Sequence, residues 1–139
     1  MLIDAKDLIL GRLATFAAKK ALLGEKIDIV NAEETIISGD RKWILAHYVK
    51  KRDRGIPLKG PYMQKMPDKF VKRIIRGMLP YKQEKGRKAY KNIKCHIGVP
   101  ENLKEQKAET IDSIHLKKLP NVKFIKVKEL CRLLGAKHG

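Results

Sequence analysis

The stretch Leu10–Val30, LGRLATFAAKKALLGEKIDIV, joins a helical pattern directly to the pattern of a buried strand. Apolar residues in its first part recur at the helical period and share one face: Leu13, Ala14, Ala17, Ala18 and Ala21. Gly24 is the expected C-terminal cap, because glycine adopts the left-handed conformation at little cost. Ile27, Ile29 and Val30 then form a short run of the kind that lies inside a parallel sheet. A helix that leads at once into a buried strand indicates an α/β protein.

The segments on either side of this stretch continue the alternation of strands and helices. Helices are expected where apolar residues step by three or four, at Asp40–Arg54, Pro67–Leu79 and Gln83–Ile93. Strands are expected at residues 2–9 with a turn, at 34–40 as a strand or turn, and at 95–99. Ser38 or Asp40 is the expected N-cap of the helix that begins there. FIKVKELCRLLG, residues 124–135, predicts a short strand and then a helix. This order indicates an α/β layer structure with a mostly parallel sheet.

Positive charge is concentrated in the middle of the chain. The formal net charge is +17, and residues 41–94 hold 18 basic side chains against 3 acidic ones. The rest of the chain holds 14 basic and 12 acidic residues and is nearly neutral. A generally lysine-rich surface, as in proteins from hot environments, would intersperse acids among the bases. The uneven distribution instead favours a polyanionic partner, and nucleic acid is the expected one.

Two of the expected helices are amphipathic, with polar faces that are almost purely cationic. In Pro67–Leu79 the apolar residues step by four, and the remaining angles carry Lys69, Lys72, Arg73 and Arg76. In Gln83–Ile93 the apolar side holds Ala89, Tyr90 and Ile93, and the other side holds Arg87, Lys88, Lys91 and, just beyond the helix, Lys94. A helix needs only one buried face to be held in place. The opposite faces are therefore free to meet phosphates.

Basic side chains on the three expected helices and on the loop 59–65 are the candidate phosphate contacts. They are Arg41, Lys50, Lys51, Arg52, Arg54, Lys59, Lys65, Lys69, Arg73, Arg76, Lys85, Arg87, Lys88 and Lys91. The arginines among them are the stronger candidates, because a planar guanidinium group binds phosphate through two hydrogen bonds. Tyr62 and Tyr81 lie in proline-flanked loops among these charges and are candidates for stacking on unpaired bases. For each tyrosine, ordinary half-buried packing is an equally good interpretation.

RNA suits this surface better than DNA. The chain contains no helix-turn-helix, zinc-finger or zipper pattern, and the basic region spans several elements and long loops. A broad and irregular surface fits a folded RNA better than one groove of a duplex. Charge alone does not distinguish the two.

Patterns for catalysis and for metal binding are not found. The turn after the first strand has one glycine, Gly11, and matches neither the dinucleotide fingerprint nor the phosphate loop. Gly11 is expected to allow close packing between strand and helix. The histidines and cysteines have no metal-ligand spacing, so no metal or other cofactor is expected: they are His47, His96, His115, His138, Cys95 and Cys131. A small-molecule substrate is not expected either.

Two enzymatic alternatives stay open at this point. Cys95 is a candidate nucleophile if a histidine lies near it, although no pattern supports the pairing. Asp4 and Asp7 are a candidate carboxylate pair, but acids at such positions more often sit in turns. A nuclease or an RNA-modifying enzyme is therefore the alternative hypothesis, and it predicts activity that depends on Asp4 or His96.

The sequence predicts a cytoplasmic protein. Its longest apolar run is four residues, Trp43–Ala46, which is far short of the about 20 that a membrane helix needs. The first residues, MLIDAKDLILG, carry acids where a signal peptide carries positive charge. Two cysteines are too few for a disulfide framework and suit a reducing compartment.

Three segments resemble consecutive signatures of the ribosomal protein L13 family of the large subunit, in its archaeal or eukaryotic style. They are DAKDLILGRLATFAAKKALLGEK (4–26), VNAEETIISGDR (30–41) and RIIRGMLPYKQEKGRKAYKNIKCHIGVPEN (73–102). The most specific pieces are LGRLA, the NAE that follows a strand, and RGMLP with a GR six residues beyond its proline. Together the segments cover about the first three-quarters of the chain, in the expected order.

The resemblance implies a three-layer α/β/α fold around a parallel four-stranded sheet. It also implies binding to large-subunit ribosomal RNA early in assembly, beside neighbouring ribosomal proteins and without catalytic activity. The family's RNA-facing segment falls on Arg73, Arg76, Gly77, Lys82, Gly86, Arg87 and Lys88. A second role outside the ribosome is a further hypothesis, on which the sequence is silent.

The resemblance also bears on how the chain is organised. We expect one RNA-binding domain over residues 1–139, in which 108–139 form a C-terminal extension without a bacterial counterpart. The helix of this extension carries Leu130, Leu133 and Leu134. It is expected to pack either on this domain or on a neighbouring ribosomal protein.

Overall fold

The computed structural model describes residues 1–120 and 123–137, and within them the chain has a mixed α/β fold. The strands are β1 (Leu2–Asp4), β2 (Ile27–Val30), β3 (Ile36–Ser38), β4 (Ile93–Cys95) and β5 (Phe124–Lys126). The helices are α1 (Leu10–Leu22), α2 (Arg41–Arg52), α3 (Pro67–Gly77), α4 (Glu84–Lys91) and α5 (Val127–Leu133). The α/β class predicted from the sequence is confirmed, and the expected helices are present with slightly shorter ends.

The larger sheet is parallel and has three strands in the order β1-β2-β4. Ile3 lies opposite Ile29 in the first pair, and Ile29 lies opposite Cys95 in the second. β3 forms a separate antiparallel pair with β5, in which Ile37 lies opposite Ile125. The mostly parallel sheet is confirmed, but the four-stranded parallel sheet that the resemblance implies is not. An isolated parallel bridge joins Ile36 of β3 to Ile9, which follows β1 in the chain.

The position of β4 differs from the prediction. The sequence predicted a helix to Ile93 and a strand at 95–99, whereas α4 ends at Lys91 and the strand begins at Ile93. Ile93 is fully buried and pairs with Ile27 in the parallel ladder, so it belongs to the sheet. The predicted strand and helix at the end of the chain are confirmed as β5 and α5.

Three local predictions have different outcomes. Gly24 has φ +94° and follows the last turn of α1, which confirms it as the glycine that ends the helix. Asp40 is the N-cap residue of α2, but its side chain makes no capping hydrogen bond. The packing role expected for Gly11 is wrong, because a Cβ at that position would meet no other atom within 4 Å.

One hydrophobic core joins the N-terminal and C-terminal parts of the described chain. The buried face of α1 is the predicted one, and it packs in the same cluster as Ile29 of β2 and Ile75 of α3. Leu130 and Leu134 belong to this cluster as well, while Leu133 is 41% exposed. The C-terminal helix therefore packs on this chain, which answers the question that the sequence left open.

The NAE segment connects the carboxyl ends of the parallel strands. Asn31 adopts the left-handed conformation after β2, and its amide donates to the carboxylate of Asp4 at 2.9 Å. Both oxygens of Glu33 accept from the backbone N–H of Gly98, at 3.0 and 3.1 Å. In open α/β sheets the carboxyl edge is where ligands commonly bind. Here the polar side chains at that edge are used to bind the loops to one another.

A charged cluster holds β5 against the turn that follows β2. The ammonium group of Lys126 lies 2.6 Å from a carboxylate oxygen of Glu34 and 3.6 Å from one of Asp7. The hydrogen bond from Lys126 lowers the pKa of Glu34 below its ordinary value of 4.5, and the same bond raises the pKa of Lys126. Glu34 therefore stabilises the fold when it is ionised.

Replacing Lys126 by glutamine should lower the free energy of unfolding at neutral pH by about 0.5–1 kcal/mol. Because the pKa of Glu34 is lowered in the folded state, its contribution is present above 4.5 and is lost as the pH falls through the folded-state value. The difference between native protein and variant should thus shrink in acid, as measured by urea denaturation across this pH range. Lys128→Gln is the control, since Lys128 lies 4.0 Å from Glu34 and is more exposed. An equal loss of unfolding free energy at all pH values would contradict the conclusion that ionised Glu34 stabilises the fold through Lys126.

No helix in the described ranges combines the length and the apolarity that crossing a bilayer requires.

Candidate RNA-binding surface

The apolar sides of α3 and α4 are buried and their basic sides face outward. Phe70, Val71 and Ile75 fix α3 in the core, and Ala89 does the same for α4. The N-terminal turn of α3 begins with Pro67, whose missing N–H costs nothing at that position. The amphipathic helices predicted from the sequence are therefore confirmed. Their outward orientation places the cationic side chains where a polyanion can reach them.

Most of the predicted contact residues lie on the surface. Those that are exposed are Arg41, Lys50, Lys51, Arg54, Lys59, Lys65, Lys69, Arg73, Gly77, Lys82, Lys85, Arg87, Lys88 and Lys91. Arg52 and Arg76 are half-buried, and Gly86 is buried. Exposure makes these groups available for binding, but which of them contact RNA stays a prediction.

Several of the candidates meet around one recess, the Tyr62 cleft, of about 570 Å³. It lies between the end of α2, the following loop and α3. Candidate contact residues in its lining are Lys51, Arg54, Tyr62, Arg73 and Gly77. The rest of the lining is Gln64 together with apolar and aromatic residues, which are Tyr48, Pro61, Met63, Phe70, Ile74 and Met78. Arg54 and Tyr62 also border a smaller neighbouring recess that includes Arg52 and Lys65. The structure thus brings together residues that are far apart in the chain.

A closed turn positions Tyr62. The N–H and C=O groups at Ile56 and Gly60 bond across the turn. Gly55 precedes it with φ +83°, and a Cβ there would lie 2.0 Å from the carbonyl oxygen of Gly60. The Tyr62 hydroxyl donates to the carbonyl of Pro57 at 2.9 Å. Tyr62 is 66% exposed and its hydroxyl is hydrogen-bonded, so the residue presents an aromatic surface that is held in place.

A second group of candidates lies where α3 meets α4. The guanidinium group of Arg76 sits 4.0 Å from the ring centroid of Tyr81. Arg87 donates to the backbone carbonyl of Lys82 at 3.1 Å, which holds it over the turn between the helices. Tyr81 is 37% exposed and one of its ring faces is covered by Arg76. Of the two tyrosines predicted to stack on bases, Tyr62 therefore has the better geometry.

Two predicted RNA contacts have partners within the chain. Arg41, at the start of α2, forms an ion pair with Glu129 of α5. Arg52, at the end of α2, bonds to Asp53 at 3.1 Å and reaches the carbonyl oxygen of Leu134 at 3.5 Å. These contacts tie both ends of α2 to the C-terminal segment. Arg41 and Arg52 therefore have a structural role, and their contact with phosphate stays a prediction.

Gly86 belongs to the segment that the resemblance implies to face RNA, and its contact with RNA stays a prediction. It is buried, and a Cβ at this position would lie 2.0 Å from the carbonyl oxygen of Pro80 and 2.8 Å from the nitrogen of Tyr81. The first turn of α4 approaches the backbone after α3 so closely that only glycine fits. Gly86 consequently sets the spacing between two basic helices.

Lys69 and the α4 lysines lie away from the Tyr62 cleft. Lys69 borders a separate recess with Lys72, Lys94 and His96. Lys88 is paired with Glu84 at 3.2 Å across one helical turn, an exposed contact that contributes little stability. The cationic surface is therefore a group of neighbouring patches.

Some surface residues of interest were missed from the sequence. Trp43 is 65% exposed and stacks on His47, with ring centroids 5.0 Å apart. Their i, i+4 spacing on α2 is a signal that could have predicted an aromatic pair on one side of the helix. Arg12 and Lys19 line a largely apolar recess beside α1, and their spacing also places them on the exposed side of that helix.

The enzymatic alternatives find no support among the described residues. Burial raises the pKa of the Cys95 thiol to about 12, so the thiol is protonated at neutral pH and is a poor nucleophile. Asp4 accepts from Asn31, and Asp7 lies near Lys126, so the two acids are used in turns as expected. His96 lies 3.1 Å from Asp28. Within the described residues no three potential ligands converge on a metal position, and His138 lies outside them.

These features define a mixed α/β protein that carries exposed cationic helices. A sequence model of the family described as "Ribosomal protein L13" matches residues 1–102. The chain belongs to this family, as the resemblance indicated.

Full-length relatives agree with this assignment. The chain is 46% identical over 136 residues to the "Large ribosomal subunit protein uL13" of Methanosarcina barkeri, covering 97% of each chain. It is 42% identical over 134 residues to the protein of the same name from Archaeoglobus fulgidus, covering 96% of this chain and 86% of the relative. The protein of that name from Methanocaldococcus jannaschii is 44% identical over 139 residues, with 97% of each chain covered.

Proposed function

We propose that this chain is a non-enzymatic, structural constituent of the large ribosomal subunit in the cytoplasm. It binds ribosomal RNA through its cationic surface, supports early assembly of the subunit and contacts neighbouring ribosomal proteins. Membership of the L13 family supports the ribosomal assignment. The observation that carries the RNA-binding role is the arrangement of α3 and α4, whose apolar sides are buried while their basic sides face outward. In this proposal residues 1–139 act as one domain.

The mechanism is neutralisation of phosphates by a surface that already has its shape. Arg76 is held over Tyr81, and Arg87 is held by the carbonyl of Lys82, before any RNA is present. Side chains that are ordered in advance lose less conformational entropy on binding. Bound phosphates in turn relieve the repulsion among the 18 basic residues of the central segment. RNA segments that repel one another can then approach across the protein.

RNA affinity should fall steeply with salt, and the double variant Arg73→Ala/Arg76→Ala should weaken this dependence. Each phosphate contact that is lost reduces the slope of log affinity against log salt by about 1, so a reduction of about 2 is expected. The measurement is a titration of transcribed archaeal large-subunit ribosomal RNA at several salt concentrations. Thermal unfolding of the variant shows whether it is folded.

A matched control removes the same charge elsewhere. Lys104→Ala/Lys107→Ala changes two exposed lysines in the polar segment beyond the central basic region. This control should leave the slope nearly unchanged. A slope near zero for the native chain, or equal slopes for the two double variants, would count against binding through α3.

Membership of the particle can be tested separately. The chain, expressed with a small tag in an archaeal host, should sediment with large ribosomal subunits at near one copy per particle. Sedimentation with the free proteins at the top of the gradient would contradict the ribosomal assignment.

A further inference from the structure

We propose that the Tyr62 cleft receives one unpaired RNA nucleotide, with its base on Tyr62 and the apolar lining and its phosphates at the cationic rim. This inference rests on the proposed function, because it names the feature of the RNA that one part of the surface recognises. Contacts to a duplex backbone need exposed charge only. The Tyr62 cleft combines exposed charge with an apolar lining and an aromatic ring.

The size and lining of the Tyr62 cleft suit a base. Its volume of about 570 Å³ lies within the range of about 300–1,000 Å³ that is usual for small-molecule sites. Met63, Phe70 and Ile74 contribute apolar surface to the recess. An apolar recess inside the most basic region of the chain has no use in binding phosphates. It provides an apolar environment in which a base that has left the stack of the RNA helix can again be covered on its faces.

Tyr62 is an aromatic platform that is in position before binding. Its hydroxyl is bonded to the carbonyl of Pro57, and one edge of its ring lies so close to Gly60 that an added Cβ there would come within 3.1 Å. The closed turn between Ile56 and Gly60 carries both contacts. A ring that is already ordered needs little reorganisation to stack on a base, and every base has a face for stacking.

The charge at the rim matches the phosphates on either side of such a nucleotide. Lys51, Arg54 and Arg73 approach the recess from α2, from the loop and from α3. The neighbouring acid, Asp53, is engaged by Arg52 at 3.1 Å. An apolar peptide would use the lining but not three cations from three elements. The combination therefore favours a nucleotide over a protein segment.

The test compares two RNA hairpins. One is fully paired, and the other carries a single bulged nucleotide, in which fluorescent 2-aminopurine takes the place of adenine. The native chain should bind the bulged hairpin about ten-fold more tightly at equal salt, because stacking on one aromatic ring contributes on this order. Tyr62→Leu should remove most of this preference while keeping the affinity for the plain hairpin. Tyr62→Phe should keep the preference, since the ring remains. The fluorescence of 2-aminopurine should fall when it stacks on the ring.

An abasic bulge separates base insertion from recognition of a bent backbone. If the abasic hairpin binds as tightly as the bulged one, the cleft does not receive a base and the inference is overturned. Equal affinity of the native chain for plain and bulged hairpins, or an unchanged preference in Tyr62→Leu, overturns it as well. These results leave the proposed function standing as long as both hairpins bind with a steep salt dependence. Loss of that dependence counts against the proposed function itself.

Discussion

Leu130→Ala should lower the free energy of unfolding by about 2–5 kcal/mol, the usual cost of deleting a buried leucine side chain. Leu130 is 0% exposed and belongs to the same cluster as Ile29 of β2 and Ile75 of α3. Truncation to alanine removes packing contacts within this cluster and leaves a cavity that the surrounding strands and helices cannot fill completely. Urea denaturation followed by far-ultraviolet circular dichroism measures the change directly.

Leu133→Ala is the matched control, because it makes the same chemical change three residues later on the same helix. Leu133 is 41% exposed, so the control should change stability by about 0.5 kcal/mol or less. Equal effects of the two variants would mean that α5 does not pack on this core. The expected contrast would instead show that the C-terminal extension supports the fold of the part of the chain that the family model covers.

Gly86→Ala should cost about 1–3 kcal/mol, even though alanine is the better helix former by about 1 kcal/mol. The added Cβ would lie 2.0 Å from the carbonyl oxygen of Pro80. This oxygen belongs to the backbone and cannot move by a side-chain rotation, so α4 must move away from α3. We expect a lower unfolding midpoint, and we also expect weaker RNA binding because Arg87 moves with α4.

Gly77→Ala is the control for Gly86→Ala, since Gly77 is also helical and a Cβ there meets nothing within 4 Å. It should leave stability unchanged or raise it by up to about 1 kcal/mol, as the gain in helix propensity is not opposed. If the two glycine variants were equally stable, the close approach of α4 to Pro80 would not exist in solution.

Elements that carry their own periodicity could be predicted from the sequence. All five residues predicted for the buried face of α1 are buried, with Leu10 in addition, and the cationic faces of α3 and α4 are where the charge pattern placed them. Ile93 shows the limit of such patterns. It continues the helical spacing of α4, yet pairing with Ile27 places it in the sheet. A local pattern cannot show which of two periodic elements will bury a residue that suits both.

Features that depend on distant partners were not predictable. β3 pairs with β5 from the far end of the described chain, which is why the expected four-stranded sheet was not found. The ion pair between Arg41 and Glu129 was not predictable for the same reason, because it also joins residues that are far apart in the sequence. The Tyr62 cleft was missed as a unit, although Tyr62 and the basic residues were each singled out. The position of Tyr62 in it depends on the turn that is closed between Ile56 and Gly60, and a charge pattern does not predict such a turn.

The attachment of α2 to α5 affects the order in which the protein can mature during translation. α2 leaves the translating ribosome long before Glu129 and Leu134, the residues that hold its two ends, have been made. The wall of the Tyr62 cleft that α2 forms therefore lacks its contacts with α5 while the nascent chain is still growing past α4. If the cleft binds RNA as proposed, it would be complete only when synthesis of the chain is nearly finished.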